Sequence, residues 1–243
     1  MHFRLLSYNI HKGIGGVGRR YDLDRVIETI NAYQPDIALL QEVDAGVPRS
    51  RHHHQVELLA EGTGLTCFAF QRTVSLRVGH YGNAILSRFP LHDTTEIDLT
   101  LGPKKRRGAL VSRWRIPVGE YTKTMVVANV HLGLSGIERT IQLRRLLKSR
   151  SLASLRNRSP LVIAGDYNDF WSSLGRRVMH GVGFQTAGPA IRTFPASLPL
   201  RPLDRVFYRG DLRAKDAFAG LTEVSRRASD HLPIVVDFEF TRK

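Results

Sequence analysis

Apolar runs that stop on a polar residue recur along this chain. The clearest is Leu161-Val162-Ile163-Ala164, which follows Pro160 and leads into Gly165-Asp166-Tyr167-Asn168-Asp169. A short continuous apolar stretch predicts a strand buried on both faces. Asp166 and Asn168 are two apart, so an extended segment points them the same way. Gly165 lets the backbone come close to whatever they hold. An ordinary strand end closed by an Asx turn is the competing explanation and needs no site. The same shape returns at residues 3–10, which meet Asn9, and at 36–43, where Ile37-Ala38-Leu39-Leu40 ends on Gln41-Glu42. It returns again at 125–131, ending on His131. A strand over 203–208 has Asp204 at its head, and Ser229-Asp230-His231-Leu232-Pro233 precedes a last strand over 234–240.

Between these runs the period changes. Asp22 followed by Leu23, Val26, Ile27 and Ile30 predicts an N-capped helix, with Pro35 beyond its end. A second helix is expected over 56–61, stopped by Gly62 or Gly64, and a third over 137–155, which lacks Gly and Pro and is rich in Arg and Lys. Short strands are expected near 67–70, 84–87 and 110–114, a short helix over 173–180, and loop from 181 to 202. Lys104-Lys105-Arg106-Arg107, after Gly102-Pro103, predicts an exposed, solvated loop, with a nucleic-acid or head-group patch as the alternative. Strands interleaved with helices, without a sharp repeat or linker, predict one compact α/β unit over residues 1–243.

Composition narrows the class. A chain of 243 residues with 42% hydrophobic content can bury a sizeable core. The formal net charge of +14 attracts polyanions, among them nucleic acid, anionic lipid head groups and phosphorylated substrates. Charge alone does not choose among them. Cys67 is the only cysteine, which excludes an internal disulfide and fits a reducing compartment. The first apolar run is far too short for a signal peptide, and no window approaches a membrane span. A cytoplasmic protein without a transmembrane segment is expected.

The polar strand ends supply the candidate chemistry: Asn9, Glu42, His131, Asp166, Asn168, Asp204, Asp230 and His231. Brought together, they offer hard oxygen donors and no thiolate, a set that suits Mg²⁺ or Mn²⁺ better than Zn²⁺. Glu42 is the expected metal ligand, helped by Asn9 and Asp230. As a histidine, His231 has the pKa range to act near neutral pH, and Asp204 could hold its tautomer. Asp166 and Asn168 could orient an attacking water or stabilise a leaving oxygen, and His131 could donate to a phosphoryl oxygen. These parts suffice for metal-assisted phosphoester hydrolysis. Lys12, beside Asn9, and Arg49 and Arg51 are candidate phosphate-binding residues.

Six segments, in order, resemble the motifs of the endonuclease/exonuclease/phosphatase superfamily. They are Ser7-Tyr8-Asn9-Ile10, Leu40-Gln41-Glu42-Val43, Asn129-Val130-His131-Leu132, Gly165-Asp166-Tyr167-Asn168, Leu203-Asp204-Arg205 and Ser229-Asp230-His231. Tyr81-Gly82-Asn83-Ala84-Ile85-Leu86-Ser87 resembles a further family strand. The resemblance implies a DNase I-like four-layer sandwich, with two mixed β-sheets face to face and helices outside. It also implies divalent-metal-dependent phosphoester cleavage, with Glu42 and Asn9 at the metal and Asp230 near the metal or the phosphate. By the same analogy Asp204 pairs with His231, which acts as base or as electrostatic stabiliser, and Asp166 with Asn168 positions the nucleophile or the leaving group. The abasic-site endonuclease branch has an acidic residue where this chain has His11, and a tyrosine where it has His131. His131 is more like the DNase I, sphingomyelinase and deadenylase-like branches. The expected activity is phosphodiester hydrolysis of nucleic acid, endonuclease-like, with a phospholipid or other small phosphoester as the alternative. Peripheral contact with an anionic membrane belongs to that alternative.

Two other classes compete. Gly13-Ile14-Gly15-Gly16-Val17-Gly18 fits the G-x-G-x-x-G dinucleotide fingerprint, but the next helix starts at Asp22, after the last glycine, and that reading leaves the other strand ends without a role. A non-catalytic polyanion binder explains the charge and nothing at Asp166, Asp204 or His231. His52-His53-His54 reads as a polar loop, because adjacent residues do not readily face one ion. Trp171, just past Asp169, is a candidate for the border of the site, and Trp114 for core or rim.

Overall fold

The computed structural model describes residues 2–118 and 121–241. In chain order the elements are β1 (His2–Asn9), α1 (Leu23–Asn31), β2 (Ile37–Ala45), α2 (Gln55–Thr63), β3 (Cys67–Ser75), β4 (His80–Ser87), β5 (Asp93–Asp98), β6 (Gly108–Val118) and β7 (Tyr121–His131). There follow α3 (Gly136–Lys148), α4 (Arg150–Ala153), β8 (Leu161–Asp166), β9 (Gln185–Thr186), β10 (Asp204–Arg209), β11 (Leu212–Ala219), α5 (Ser225–Ala228) and β12 (Ile234–Phe240). The strands form two mixed six-stranded sheets, in the orders β11-β12-β1-β2-β4-β3 and β5-β6-β7-β8-β10-β9. The β1–β2 and β7–β8 pairs are parallel and the other pairings antiparallel.

The apolar runs are continuous because both faces of the central strands are covered. Leu5 of β1 and Val162 of β8 lie in a cluster shared by the inner faces of the two sheets, which also holds the fully buried Trp114. Leu6 of β1 packs outward on Leu23, Val26 and Ile30 of α1 and Leu59 of α2. Ile163 of β8 packs the other way, on Leu143 and Leu146 of α3. The result is the four-layer sandwich that the motifs implied. Polar ties cross the dry centre. Asn129 of β7 donates from Nδ2 to the carbonyls of Leu40 and Ala84, 2.8 Å each, and accepts from Gln41 Nε2 at 2.7 Å.

The departures from expectation have local causes. The helix expected over 137–155 breaks at Ser149, whose ψ of 148° is extended. Residues 173–180 contain a single π-type turn at Gly175–Met179 instead of an α-helix. Strands β5, β9 and β11 were not expected. They sit at or next to sheet edges, bury little, and so carry no apolar run. Among the described residues, no helix is long and apolar enough to cross a membrane.

Candidate active site

Strand pairing gathers the polar ends at one edge of the sandwich. In register, His131 of β7 lies beside Asp166 of β8, and Asp204 of the antiparallel β10 lies opposite Asp166. Ser229 ties the last segment to the first strand: its Oγ donates to the Asn9 carbonyl at 2.7 Å and accepts the His231 N–H at 3.2 Å. A cleft of about 370 Å³ opens there, lined by Asn9, Lys12, Glu42, His131, Asp166, Asn168, Asp230 and His231 among others. Asp204 lies fully buried behind His231.

Within the cleft the hydrogen bonds run in one line. His231 Nδ1 is 2.8 Å from Asp204 Oδ2, which also accepts from the Thr193 hydroxyl. This leaves His231 Nε2 toward Asp166 Oδ2, at 4.0 Å. Asn9 Nδ2 donates to that same Asp166 oxygen at 3.0 Å, and His131 Nε2 is 3.5 Å from it. The Asn168 N–H donates to Asp166 Oδ1 at 2.8 Å. Asp166 is therefore held from both sides.

The charge states follow from the burial. Burial alone would depress the His231 pKa, but the Asp204 carboxylate and its hydrogen bond, with Asp166 and Asp230, carry it up to about 10. Burial and the Asp204 charge push Asp166 up to about 6, against the pull of His231 and of the Asn168 and Asn9 donors. His131 is held well below 6.5 by burial and by Arg107, so its imidazole is neutral at pH 7. Burial would raise the Glu42 pKa, yet His131, Lys12 and His11 outweigh it and bring it to about 2. With His131 neutral, the partner that matters is Lys12, whose ammonium is hydrogen-bonded to Glu42 Oε2.

Several expectations need correction. Asn168 is not in an extended segment: its φ is 49°, and the Asx turn from Asp166 coexists with the site. Its Nδ2 donates to the Leu132 carbonyl at 3.0 Å. Gly165 does not clear room for a ligand. A Cβ there, at φ 147°, would lie 1.9 Å from the Val130 carbonyl oxygen of the neighbouring strand. Glu42 is not at a strand end. β2 continues to Ala45 through a one-residue bulge between Leu40 and Val43, and Glu42 occupies it with φ 58°. Arg49 forks onto the buried Asp44 (2.7 and 2.9 Å), and Arg51 sits over the Tyr21 ring in a separate depression, so neither lines the cleft.

The basic run at residues 104–107 is not simply an exposed loop: Lys105 and Arg107 line the cleft, and Arg107 is buried. Thr193, Leu134, Phe170 and Phe194 carry no signal in the sequence, because no local pattern separates them from ordinary loop residues. The glycine-rich stretch serves packing. A Cβ on Gly15 would lie 2.2 Å from the Arg227 carbonyl oxygen, so the glycine lets this loop pack on the segment that carries Asp230 and His231. His53 pairs with the Tyr21 hydroxyl while His52 faces the Gly46 carbonyl, so the histidine run forms no common site. Trp114 is core, and Trp171 is exposed.

Two groups of residues bear on a metal. Ligand atoms of Asp166, Asp204 and His231 lie within 4.8 Å of one another. However, Asp204 Oδ2 and His231 Nδ1 are hydrogen-bonded to each other, with Asp166 Oδ2 4.0 Å beyond His231 Nε2, which makes this group a relay rather than a metal cage. Glu42, Asn9 and Asp230 share the cleft, and Glu42 stays ionised with, among the described residues, the Lys12 ammonium hydrogen-bonded to its carboxylate. An ionised carboxylate beside oxygen donors, without thiolate, fits Mg²⁺ or Mn²⁺.

The chain belongs to the endonuclease/exonuclease/phosphatase family, whose model matches residues 6–231. This is a family of phosphoesterases that generally depend on a divalent metal. The chain is 31% identical to the uncharacterized protein YbhP of Escherichia coli (strain K12), over 96% of this chain and 94% of that one. Among solved structures, the endonuclease/exonuclease/phosphatase from Beutenbergia cavernae DSM 12333 superposes with a TM-score of 0.82 at 24% identity, covering 99% of this chain and 72% of that one. The human Nocturnin catalytic domain does so with a TM-score of 0.72 at 21% identity, covering 99% and 94%. These two likenesses establish the DNase I-like fold.

Proposed function

We propose that this protein is a Mg²⁺- or Mn²⁺-dependent phosphodiesterase acting on an anionic phosphodiester substrate. The observation that carries the reading is the Asp204–His231–Asp166 line, 2.8 and 4.0 Å, set in the same cleft as Glu42 and Asn9. Glu42, Asn9 and Asp230 would hold the metal. When bound, the ion neutralises charge on the phosphoryl oxygens.

The chain's own groups divide the remaining work. Asp204 fixes the His231 tautomer and charge, so that Nε2–H donates to a phosphoryl oxygen as an electrostatic stabiliser. Asp166, aimed by Asn9 and by the Asn168 N–H, has a pKa close enough to neutral to accept the proton of the attacking water. The water oxygen bonds to phosphorus as the ester P–O bond breaks, and the leaving oxygen departs as an alkoxide that takes a proton from solvent. His131, neutral, donates to a second phosphoryl oxygen. Lys12, Lys105 and Arg107 surround the position a phosphate would take. The net charge supports a polyanionic substrate, and the unpaired Cys67 supports a cytoplasmic setting.

The test is turnover of bis-p-nitrophenyl phosphate and nicking of plasmid DNA with Mg²⁺, Mn²⁺ or EDTA, with Asp166→Asn as control. Metal-dependent turnover that falls at least about 100-fold in the variant is expected. Turnover that persists in EDTA, or in Asp166→Asn, would refute the assignment. Binding of DNA without turnover would favour the polyanion binder.

A further inference from the structure

The N-terminal turns of α3 are built against the usual pattern, although Leu143 and Leu146 further on face the core. They bury Glu138, Arg139 and Gln142 and leave Ile137 76% and Ile141 44% exposed. Leu134, just before it, lines the cleft and is 70% exposed. Arg139 hydrogen-bonds the Leu134 carbonyl and lies 3.8 Å from Asp169 Oδ1, which joins this corner to the next loop. There Phe170 lines the cleft and Trp171 stands 77% exposed. The Arg201 guanidinium is 5.6 Å from the Trp171 ring centre, with Leu200 exposed beside it in sequence. On the other side, Lys104 meets Glu138 at 3.1 Å and sets the Lys104-Lys105-Arg106 run next to the start of α3. Large apolar side chains and cations thus share one rim around the mouth of the cleft.

Exposed apolar residues scattered singly need no explanation, whereas a connected set at a functional opening marks a docking surface. Phe170 and Trp171 could stack on a base, but the larger share of the rim, Leu134, Ile137, Ile141 and Leu200, is aliphatic and offers nothing to stack on, unlike the aromatic platforms of single-strand binders. Aliphatic side chains, a tryptophan and adjoining Lys and Arg suit the boundary of an anionic lipid layer, with the apolar tips in the acyl region and the cations at the head groups. We propose that this rim docks on an anionic phospholipid bilayer and presents head-group phosphodiesters to the cleft. The docking stands on the rim alone, and the delivery of head groups rests on the phosphodiesterase reading.

Trp171 is its own probe, because the other tryptophan, Trp114, is fully buried and hydrogen-bonded to Ser87 at 3.0 Å. Vesicles of phosphatidylglycerol and phosphatidylcholine should shift the tryptophan emission to the blue and sediment the protein, and vesicles of phosphatidylcholine alone should do so less. An Ile137→Ser/Leu200→Ser double variant should bind at least about tenfold more weakly. Its circular dichroism and its turnover of soluble bis-p-nitrophenyl phosphate should stay unchanged. No emission shift and no co-sedimentation with anionic vesicles would overturn the docking. So would equal binding by the double variant, or an emission change with an oligonucleotide but not with vesicles. Vesicle binding without head-group release, in an enzyme that turns over the soluble diester, would overturn delivery. Binding with neither substrate consumed would support docking and fault the phosphodiesterase reading.

Discussion

Replacing Asp204 with asparagine keeps the shape of the relay and removes its charge. In the native structure the buried His231 has a pKa of about 10, against 6.5 for an unperturbed imidazole, chiefly through Asp204. At ~1.4 kcal/mol for each tenfold change in the protonation equilibrium, that preference for the charged imidazole is roughly 5 kcal/mol. With Asp204→Asn the desolvation remains and the main opposing charge is gone, so the His231 pKa should fall back toward 6.5. A titration of ¹⁵N-labelled histidine in EDTA, monitored by NMR, reads this directly. Because the folded pKa is raised, the stabilisation is fully present below 6.5 and is lost as pH rises toward about 10. Urea unfolding of the metal-free protein should therefore show wild type losing more stability than the variant between pH 6 and pH 10. In the metal-loaded enzyme, kcat for bis-p-nitrophenyl phosphate should fall by about two to four orders of magnitude. A native His231 that titrates at or below 6.5, or a variant whose His231 titrates like the native one, would refute the relay.

Other outcomes follow from single contacts. Asn129→Leu strips partners from two buried carbonyls and from Gln41 Nε2, and should cost at least about 3 kcal/mol in urea unfolding, with the site residues untouched. Gly15→Ala should lower activity more than stability, since its methyl group meets the Arg227 carbonyl and displaces the segment carrying Asp230 and His231. Paired measurement of kcat and melting temperature separates the two effects. Arg51→Ala should leave KM for a phosphodiester unchanged, whereas Arg107→Ala should raise it about tenfold or more, because only Arg107 lines the cleft.

The linear pattern was sufficient for some features and silent on others. A strand buried on both faces needs a continuous apolar run, and a polar residue ending that run has to be put somewhere it can be solvated or used. Both requirements are local, so β1, β2, β7, β8 and β12 were legible, and so were Asn9, His131, Asp166, Asp204 and His231. Sheet pairing and the return of β12 beside β1 then brought these ends together. What stayed hidden depends on partners far away in sequence. The bulge that aims Glu42 exists only against β4, and Thr193 reaches Asp204 only through a loop without periodicity. Arg107, the residue just before β6, is buried and lines the cleft, whereas its neighbour Arg106 is exposed, and nothing local tells the two apart. Arg49 and Arg51 matched the chemistry of phosphate binding but were claimed by Asp44 and Tyr21. Helix α3 is the sharpest case: its letters do not say which face is covered, and only packing turns Glu138 and Arg139 inward and Ile137 outward. The sequence alone determined the strands and the chemical types at their ends, because apolar periodicity acts within a few residues. Tertiary structure decided which of those groups share a charge, a proton or a surface, because those properties belong to pairs of atoms that the chain brings together only when it folds.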